Sequence, residues 1–221
     1  MTTNIQVFEV GGSVRDSLLG TPTKDRDFCA VCPSFESLKQ WAQINMNKVF
    51  LIKEEFKTIR GIIGKDPIDI VMCDTSLEND LARRDFTMNA LAYRVDQNLS
   101  RTGSIIDNHN GVRDIWRNDI RCIGEGLDSI EADRLRLLRA IRFKLTKDMR
   151  LSETLHLAMW DEGSWEKLME EIAIERIMEE LKAMLKFSTS ETIKFFTTKC
   201  HPAATELLFS ELWLRPTLQK K

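Results

Sequence analysis

Two aspartates separated by a single residue, Asp25 and Asp27, have the clearest capacity for chemistry in this chain. In an extended strand the side chains at i and i+2 point to the same face, so we expect the two carboxylates to be neighbours. Adjacent carboxylates repel each other unless a cation lies between them, and hard oxygen ligands suit Mg²⁺ shared with a substrate phosphate. The pair predicts metal-dependent phosphoryl or nucleotidyl transfer, the alternative being a solvated strand edge or loop.

A glycine pair followed by an arginine comes shortly before the two aspartates. Gly11 and Gly12 end an apolar run, and glycine lets backbone N–H groups approach a phosphate closely. The guanidinium of Arg15 would add a charged fork. The segment therefore favours phosphate binding beside the carboxylates, and the alternative is an ordinary turn.

A third carboxylate, Asp69, stands inside the apolar segment 68–72. A charge in an apolar strand is costly unless it is paired or bound to a metal. Since a sheet can bring neighbouring strands together, we expect Asp69 to lie beside Asp25 and Asp27. The alternative is an aspartate on the exposed face of an edge strand.

The elements that must position these residues are short strands with helices between them. Alternation and turn residues predict strands over 5–10, 28–31, 49–52, 58–63, 68–72, 93–95, 104–106 and 120–123, and helices over 13–19, 34–44 and 112–116. The form Thr75-x-x-Glu78 predicts a capped helix that runs on to Ala92. In such a helix Asp85 and Asn89 would share a face and could bind the hydroxyls of a sugar, the alternative being a solvated helix surface.

After Ser129 the apolar residues recur with the period of a helix. Asp133, Arg136 and Arg139 follow each other at intervals of three and would form a polar stripe on that helix. Further helices are predicted over 153–160, 171–185, 190–197 and 203–212. Arginines and lysines recur over 113–150, and a local basic surface can hold a phosphate backbone although the net charge is −2.

Composition excludes several classes of protein. With 43% hydrophobic and 30% charged residues, the chain fits a soluble globular protein, and it has no apolar stretch long enough for a membrane span. Five cysteines, an odd number, predict reduced thiols in a cytoplasm. Cys29-x-x-Cys32 has no second metal-binding pair, so we interpret both cysteines as apolar strand-end residues.

Taken in order, these segments resemble the five motifs of the class II tRNA nucleotidyltransferases, which comprise the CCA-adding enzymes and the related bacterial poly(A) polymerases of the polymerase-β superfamily. The matching segments are 11–16 with 25–27, 83–90, 107–114 with 120–121, 133–143, and 174–181. Each motif alone is weak, but the ordered set is a strong signal.

The resemblance implies a role for each matching residue. Asp25 and Asp27 would bind the catalytic metals, with Asp69 as a third carboxylate. The triphosphate would be held by Gly12 and Arg15. The remaining matches divide between the ribose and incoming nucleotide (Arg84, Asp85 and Asn89), the base (Asp133 and Arg136), and the phosphates or template face (Arg139 and Arg142).

Base selection without a template also has a chemical basis. Cytosine and adenine both present an exocyclic amine donor beside a ring-nitrogen acceptor, whereas uracil and guanine present the reverse pattern. A carboxylate on Asp133 and a guanidinium on Arg136, one helical turn apart, would match the first pattern. Each mismatched bidentate contact costs about 1–3 kcal/mol.

Three features depart from the family's pattern. Ala132 stands where the family usually has Glu directly before the base-reading Asp, with Glu131 one residue earlier. The segment from Asp69 to Arg83 is shorter than in full CCA-adding members, which resembles the CC-adding branch. The chain ends at Lys221, soon after the fifth motif, so we expect no tail domain and weak tRNA anchoring or a homodimer.

The fold class we expect is α+β. A mixed-sheet head with flanking helices would span residues 1–124, an all-helical neck 125–186, and a short helical body 187–221. The expected function is Mg²⁺-dependent addition of C and A, from CTP and ATP, to the 3′ end of tRNA, without a membrane partner. The alternatives are CC addition only, a poly(A) polymerase, and a catalytically decayed RNA-binding module.

Overall fold

The computed structural model describes residues 5–23, 25–73, 75–124 and 127–206. The chain divides into two compact units, Met1–Arg117 and Asn118–Lys221. The α+β fold class is confirmed, because a large mixed sheet and flanking helices make up the first unit. In the described part of the chain, no helix has the length and apolar character needed to cross a bilayer.

The first unit is built on a seven-stranded sheet. Its elements are β1 (Gln6–Val10), α1 (Gly12–Leu18), β2 (Asp27–Val31), α2 (Phe35–Asn45), β3 (Lys48–Lys53), β4 (Thr58–Ile63), β5 (Asp66–Met72), α3 (Leu77–Ala82), a 3₁₀ turn (Thr87–Asn89), β6 (Ala92–Val95), β7 (Arg101–Ile106) and α4 (Gly111–Trp116). The strand order is β3-β4-β5-β2-β1-β6-β7. The β2–β5 pair is parallel and the other neighbouring pairs are antiparallel.

A hydrophobic core lies against the central strands of this sheet. Phe28, Ile59 and Ile70 come from three of the strands and are almost fully buried. Leu38 of α2 packs into the same cluster. The hydroxyl of Ser34 accepts a hydrogen bond from the Ser37 N–H and so caps the start of α2. The core therefore fixes β2 and β5, the two strands that carry Asp27 and Asp69.

The predicted helix from the capping segment to Ala92 is wrong beyond Ala82. The cap itself is Ser76, whose hydroxyl accepts from the Asn79 N–H. Phe86 and Met88 are fully buried and alternate with polar neighbours, which is not a helical period. Burying them requires the chain to leave α3, pass through the 3₁₀ turn and enter β6, which pairs with β1.

The second unit is mainly helical. Its elements are β8 (Asp119–Ile120), α5 (Asp128–Ala132), α6 (Leu135–Lys147), β9 (Arg150–Leu151), α7 (Glu153–Trp160), α8 (Glu162–Glu171), α9 (Ile174–Phe187), α10 (Thr189–Lys199) and α11 (Pro202–Glu206). The predicted strand 120–123 is reduced to β8, a two-residue parallel partner of β9. The predicted helix 203–212 extends beyond Glu206 into residues outside the described range.

The helices of the second unit differ from the prediction at two places. Asp133 is extended (φ −154°, ψ 100°) and separates α5 from α6, so it does not share a continuous helix with Arg136. Its carboxylate accepts from the Leu135 N–H at 3.1 Å, a local bond that competes with helix formation. Helix α8 was not predicted, although the carboxylate of Asp161 caps it by accepting from the Ser164 N–H.

Candidate active site

The three predicted carboxylates line one cleft of about 470 Å³ in the first unit. Asp27 is the first residue of β2, and the parallel register places it opposite Asp69 of β5. Asp25 precedes the strand and is exposed, so the two aspartates of the pair do not share a regular strand as expected. The remaining lining residues are Arg26, Phe50, Arg60, Pro67 and Ile68.

An arginine that the sequence did not reveal holds Asp69. In the antiparallel register Arg60 of β4 lies directly opposite Asp69, which puts both side chains on the same face of the sheet. The guanidinium donates from Nε to one carboxylate oxygen and from Nη2 to the other. This two-point contact orients Asp69 and compensates its charge.

The carboxyl of Asp27 has a raised pKa. Partial burial raises its pKa above the ordinary value, the guanidinium of Arg84 opposes that effect, and the charges of Asp69 and Asp25 raise the pKa further. A cation bound here would relieve the repulsion between the carboxylates. The donor set therefore fits a hard divalent metal ion.

Within the described residues, no group of three or more His, Cys, Asp and Glu side chains is arranged to hold a metal ion by itself. Mg²⁺ is usually bound through one or two carboxylates together with substrate phosphates and water. Asp25 and Asp27 can supply such a pair, while Asp69 is engaged by Arg60.

A chain of polar contacts lies beside the carboxylates. The guanidinium of Arg15 in α1 donates from Nη1 to Oδ1 of Asn89 at 2.5 Å and from Nε to Asp16 at 2.8 Å. Asn89 in turn donates to Oδ1 of Asp85 at 2.8 Å. The predicted pairing of Asp85 with Asn89 is thus present, although a tight turn rather than an α-helix produces it.

Arg84 is held by Asp80, a carboxylate that was not among the predicted site residues. Asp80 of α3 accepts from Nη2 of Arg84 at 2.9 Å and from Nη2 of Arg83 at 2.6 Å. Asp80 is buried, so a single carboxylate orients both guanidinium groups. Its spacing of three and four residues from the two arginines on the predicted helix was the available sequence signal.

The glycine with the strict backbone requirement is Gly11 rather than Gly12. Gly11 adopts φ 76° and ψ −127°, and a Cβ there would lie 2.5 Å from Nη1 of Arg84. Gly12 is the first residue of α1, and a Cβ there would meet only the guanidinium of Arg15 at 3.5 Å. The predicted role of Gly12 at the triphosphate stays a prediction.

We expect Gly11→Ala to destabilise the protein by about 1–3 kcal/mol, because a β-carbon is strained at this φ. The substitution also displaces the guanidinium of Arg84, so we expect reduced nucleotide binding. Urea unfolding and a nucleotide titration measure the two effects. Gly20→Ala is the matched control, because Gly20 also has a positive φ (66°) but a Cβ there meets nothing within 4 Å. Equal losses of nucleotide binding in the two variants would contradict the assignment.

A buried glutamate links the segment that carries Asp25 and Asp27 to the sheet. Glu9 of β1 is 0% exposed and accepts from Arg26 at 2.6 Å and from Arg101 at 2.7 and 2.9 Å. Burial alone would raise the pKa of Glu9, but the hydrogen bonds from Arg101 and Arg26 outweigh it and lower the pKa to about 2. Because Arg26 stands between Asp25 and Asp27, Glu9 anchors the segment that carries both.

The predicted base-reading residues lie in the second unit, each with contacts inside it. Asp133 accepts from Nη2 of Arg176 at 3.1 Å, and Arg136 donates to the hydroxyl of Ser129. Arg139 and Arg142 both bind the buried carboxylate of Glu180, at 3.2 and 2.5 Å. Glu180 therefore joins α6 to α9, and the roles predicted for the four residues stay predictions.

Comparison with protein families identifies one match. The model of the poly A polymerase head domain matches residues 7–75 and 65–121. The CCA-adding enzyme of Latilactobacillus sakei is 34% identical over 193 residues, which are 82% of this chain and 46% of that protein. The CCA-adding enzyme of Enterococcus faecalis is 33% identical over 222 residues, which are 92% and 52% respectively. The chain thus spans about half the length of the curated relatives it matches.

The solved structures with a similar fold include two CCA-adding or tRNA-processing enzymes. The Thermotoga maritima CCA-adding enzyme in complex with tRNA matches with a TM-score of 0.74 and 29% identity, over 96% of this chain and 50% of that one. A tRNA-processing enzyme with CTP matches with a TM-score of 0.74 and 30% identity, over 95% of this chain and 56% of that one. The similarity therefore extends through both units.

Proposed function

The chain belongs to the family of the poly A polymerase head domain, and from this premise we propose that it adds C and A, from CTP and ATP, to the 3′ end of tRNA. The observation that carries the proposal is the register of β2 with β5, which puts Asp27 opposite Asp69. The same unit holds Arg15, whose guanidinium is hydrogen-bonded to Asn89. The names of the relatives support the choice of tRNA as acceptor. The predicted cytoplasmic location and homodimer stay predictions.

The carboxylates are proposed to hold Mg²⁺ through Asp25 and Asp27. When bound there, the ion would polarise the α-phosphate and neutralise charge that develops on the leaving pyrophosphate. Asp69, oriented by Arg60, lies next to Asp27 and faces the same cleft. Its position suits an interaction with the attacking 3′-hydroxyl.

Two arginines, Arg15 and Arg84, are proposed to hold the incoming nucleotide. Arg15 and Arg84 are oriented by Asp16 and Asp80, and their fixed guanidinium groups can donate to phosphate oxygens at little entropic cost. Asp85 and Asn89 are hydrogen-bonded to each other and present oxygen and nitrogen atoms that suit the hydroxyls of a ribose.

Choice of base is proposed to rest on Asp133 and Arg136. Asp133 lies just before α6 and accepts from the Leu135 N–H, and Arg136 lies in the first turn of α6, so both groups are near the start of one helix. A carboxylate that accepts from an exocyclic amine and a guanidinium that donates to a ring nitrogen favour C and A over U and G.

The experiment is incubation of the purified chain with Mg²⁺ and tRNA lacking its CCA end, in the presence of CTP, ATP or both. We expect growth by three nucleotides with the sequence CCA when both nucleotides are present, and no growth after chelation of the metal. Sizing and sequencing of the product measure the outcome. Growth by CC alone, a long A tail, or no incorporation would each contradict the proposal.

A further inference from the structure

An exposed phenylalanine stands at the rim of the carboxylate cleft. Phe50 of the edge strand β3 is 48% exposed. It is the one aromatic residue among the described residues that line the cleft. The β3–β4 register shifts between Val49 and Leu51, so Phe50 is the extra residue of a β-bulge. Bulges commonly redirect a side chain next to a functional site.

The bulge depends on close packing with the next strand. Gly61 of β4 pairs with Val49 immediately before the bulge. A Cβ on Gly61 would lie 2.6 Å from the carbonyl oxygen of Lys48, so only a bare backbone allows this approach. The conformation that places Phe50 at the rim therefore depends on the glycine at position 61 of the neighbouring strand.

The registers align four strands in one row. Asp27 of β2 lies opposite Asp69 of β5, Asp69 lies opposite Arg60 of β4, and Arg60 lies opposite Leu51 of β3, next to Phe50. Residues directly opposite each other share a face of the sheet, so the row runs from Asp27 to Leu51, and the adjacent Phe50 lines the same cleft as the carboxylates. Three strand spacings separate its ends, about 14 Å between backbones.

The strand order assigns the two sides of this row to different parts of the reaction. Arg15 is in the helix that follows β1 and Asn89 is in the turn that precedes β6, the neighbour of β1 away from β2, whereas Phe50 lies beyond β5, on the other side of β2. In an in-line displacement the attacking oxygen and the leaving group are on opposite sides of the phosphorus. With the triphosphate on the side of Arg15, the acceptor end approaches from the side of Phe50.

We propose that Phe50 stacks against the base of the 3′-terminal nucleotide of the acceptor RNA and thereby positions its 3′-hydroxyl near Asp69; this inference rests on the proposed function. Each addition creates a new terminal base, so the acceptor site must receive different bases in turn. Stacking on an aromatic ring meets that need because it tolerates every base.

The chain contains a matched control for this residue. Phe56, in the turn after β3, is also an exposed phenylalanine (60%), but the ammonium of Lys53 lies 5.9 Å from its ring centroid and Phe56 is not part of the cleft lining. Removal of either ring exposes no core, so both variants are expected to fold. The comparison therefore separates a stacking contact from the general effect of losing a surface phenylalanine.

The test uses an acceptor RNA with 2-aminopurine at its 3′ end, whose fluorescence falls when the base stacks. In the absence of nucleotide we expect wild type, Phe50→Trp and Phe56→Ala to quench the probe, and Phe50→Ala not to. In CMP incorporation, Phe50→Ala should raise KM for the RNA by about tenfold or more and leave KM for CTP unchanged.

The outcomes distinguish this inference from the proposed function. Equal quenching and equal KM for the RNA in Phe50→Ala and wild type would overturn the stacking role while the transferase activity stands. Quenching that depends on Phe50 in a protein that incorporates no nucleotide would support the stack and overturn the proposed function. A similar rise in KM for the RNA in Phe56→Ala would also overturn the inference.

Discussion

Replacement of Asp27 by asparagine should reduce nucleotide transfer by about 10³-fold or more, which corresponds to roughly 4 kcal/mol of transition-state stabilisation. The substitution keeps the shape of the side chain and removes the negative charge needed to hold Mg²⁺. Single-turnover incorporation of CMP measures the loss. We expect no loss of stability, because the folded state already disfavours the charged form of Asp27, as its raised pKa indicates.

Asp66→Asn is the matched control for this experiment. Asp66 is the exposed first residue of β5, the strand that carries Asp69, and it does not line the carboxylate cleft. An Asp27→Asn variant with more than a tenth of wild-type activity, or an Asp66→Asn variant that is equally impaired, would contradict the role of Asp27.

Glu9→Gln should lower the free energy of unfolding at neutral pH by about 3 kcal/mol, because it leaves two guanidinium groups without their buried counter-charge. The pKa of Glu9 is about 2 in the folded protein, below the ordinary value of 4.5. A lowered carboxyl pKa stabilises the fold above pH 4.5, and that stabilisation is lost as the pH falls towards 2. The difference between wild type and variant should therefore shrink in acid.

Urea unfolding at several pH values measures this effect. The matched control is Glu36→Gln, which removes a carboxylate that pairs with Lys39 but is 66% exposed, so a change below about 1 kcal/mol is expected. A constant difference between Glu9→Gln and wild type from neutral pH to pH 2 would show that the charge of Glu9 does not stabilise the fold. We also expect reduced transferase activity in Glu9→Gln, because Arg26 separates Asp25 from Asp27.

Local patterns in the sequence predicted most strands of the first unit, since apolar alternation and turn residues act over a few residues. The α+β class was accessible in this way, whereas the meeting of Asp27 with Asp69 was expected from a charge inside an apolar strand and from the family resemblance. The helix over 77–92 was mispredicted because good helix formers there are overridden by burial of Phe86 and Met88 against the rest of the unit. Asp133 was placed on a helix although its side chain favours a cap.

Partners distant in sequence could not be found from local patterns. Glu9 binds Arg101 from 92 residues away, and no spacing rule connects positions so far apart. Arg60 and Asp69 are nine residues apart, and only the register of the β4–β5 hairpin makes them opposite. Phe50 had no signal at all, because a bulge depends on the neighbouring strand rather than on its own residue type.

The position of β1 in the sheet has a consequence during synthesis. This strand is synthesised before both of its neighbours, β2 and β6, and the second of them begins only at Ala92. Until β6 has emerged, β1 keeps one open hydrogen-bonding edge, and its glutamate still lacks Arg101. An open edge of this kind can pair with other nascent chains. The growing polypeptide therefore passes through an interval of aggregation risk that ends when residues 92–101 become available to complete the sheet.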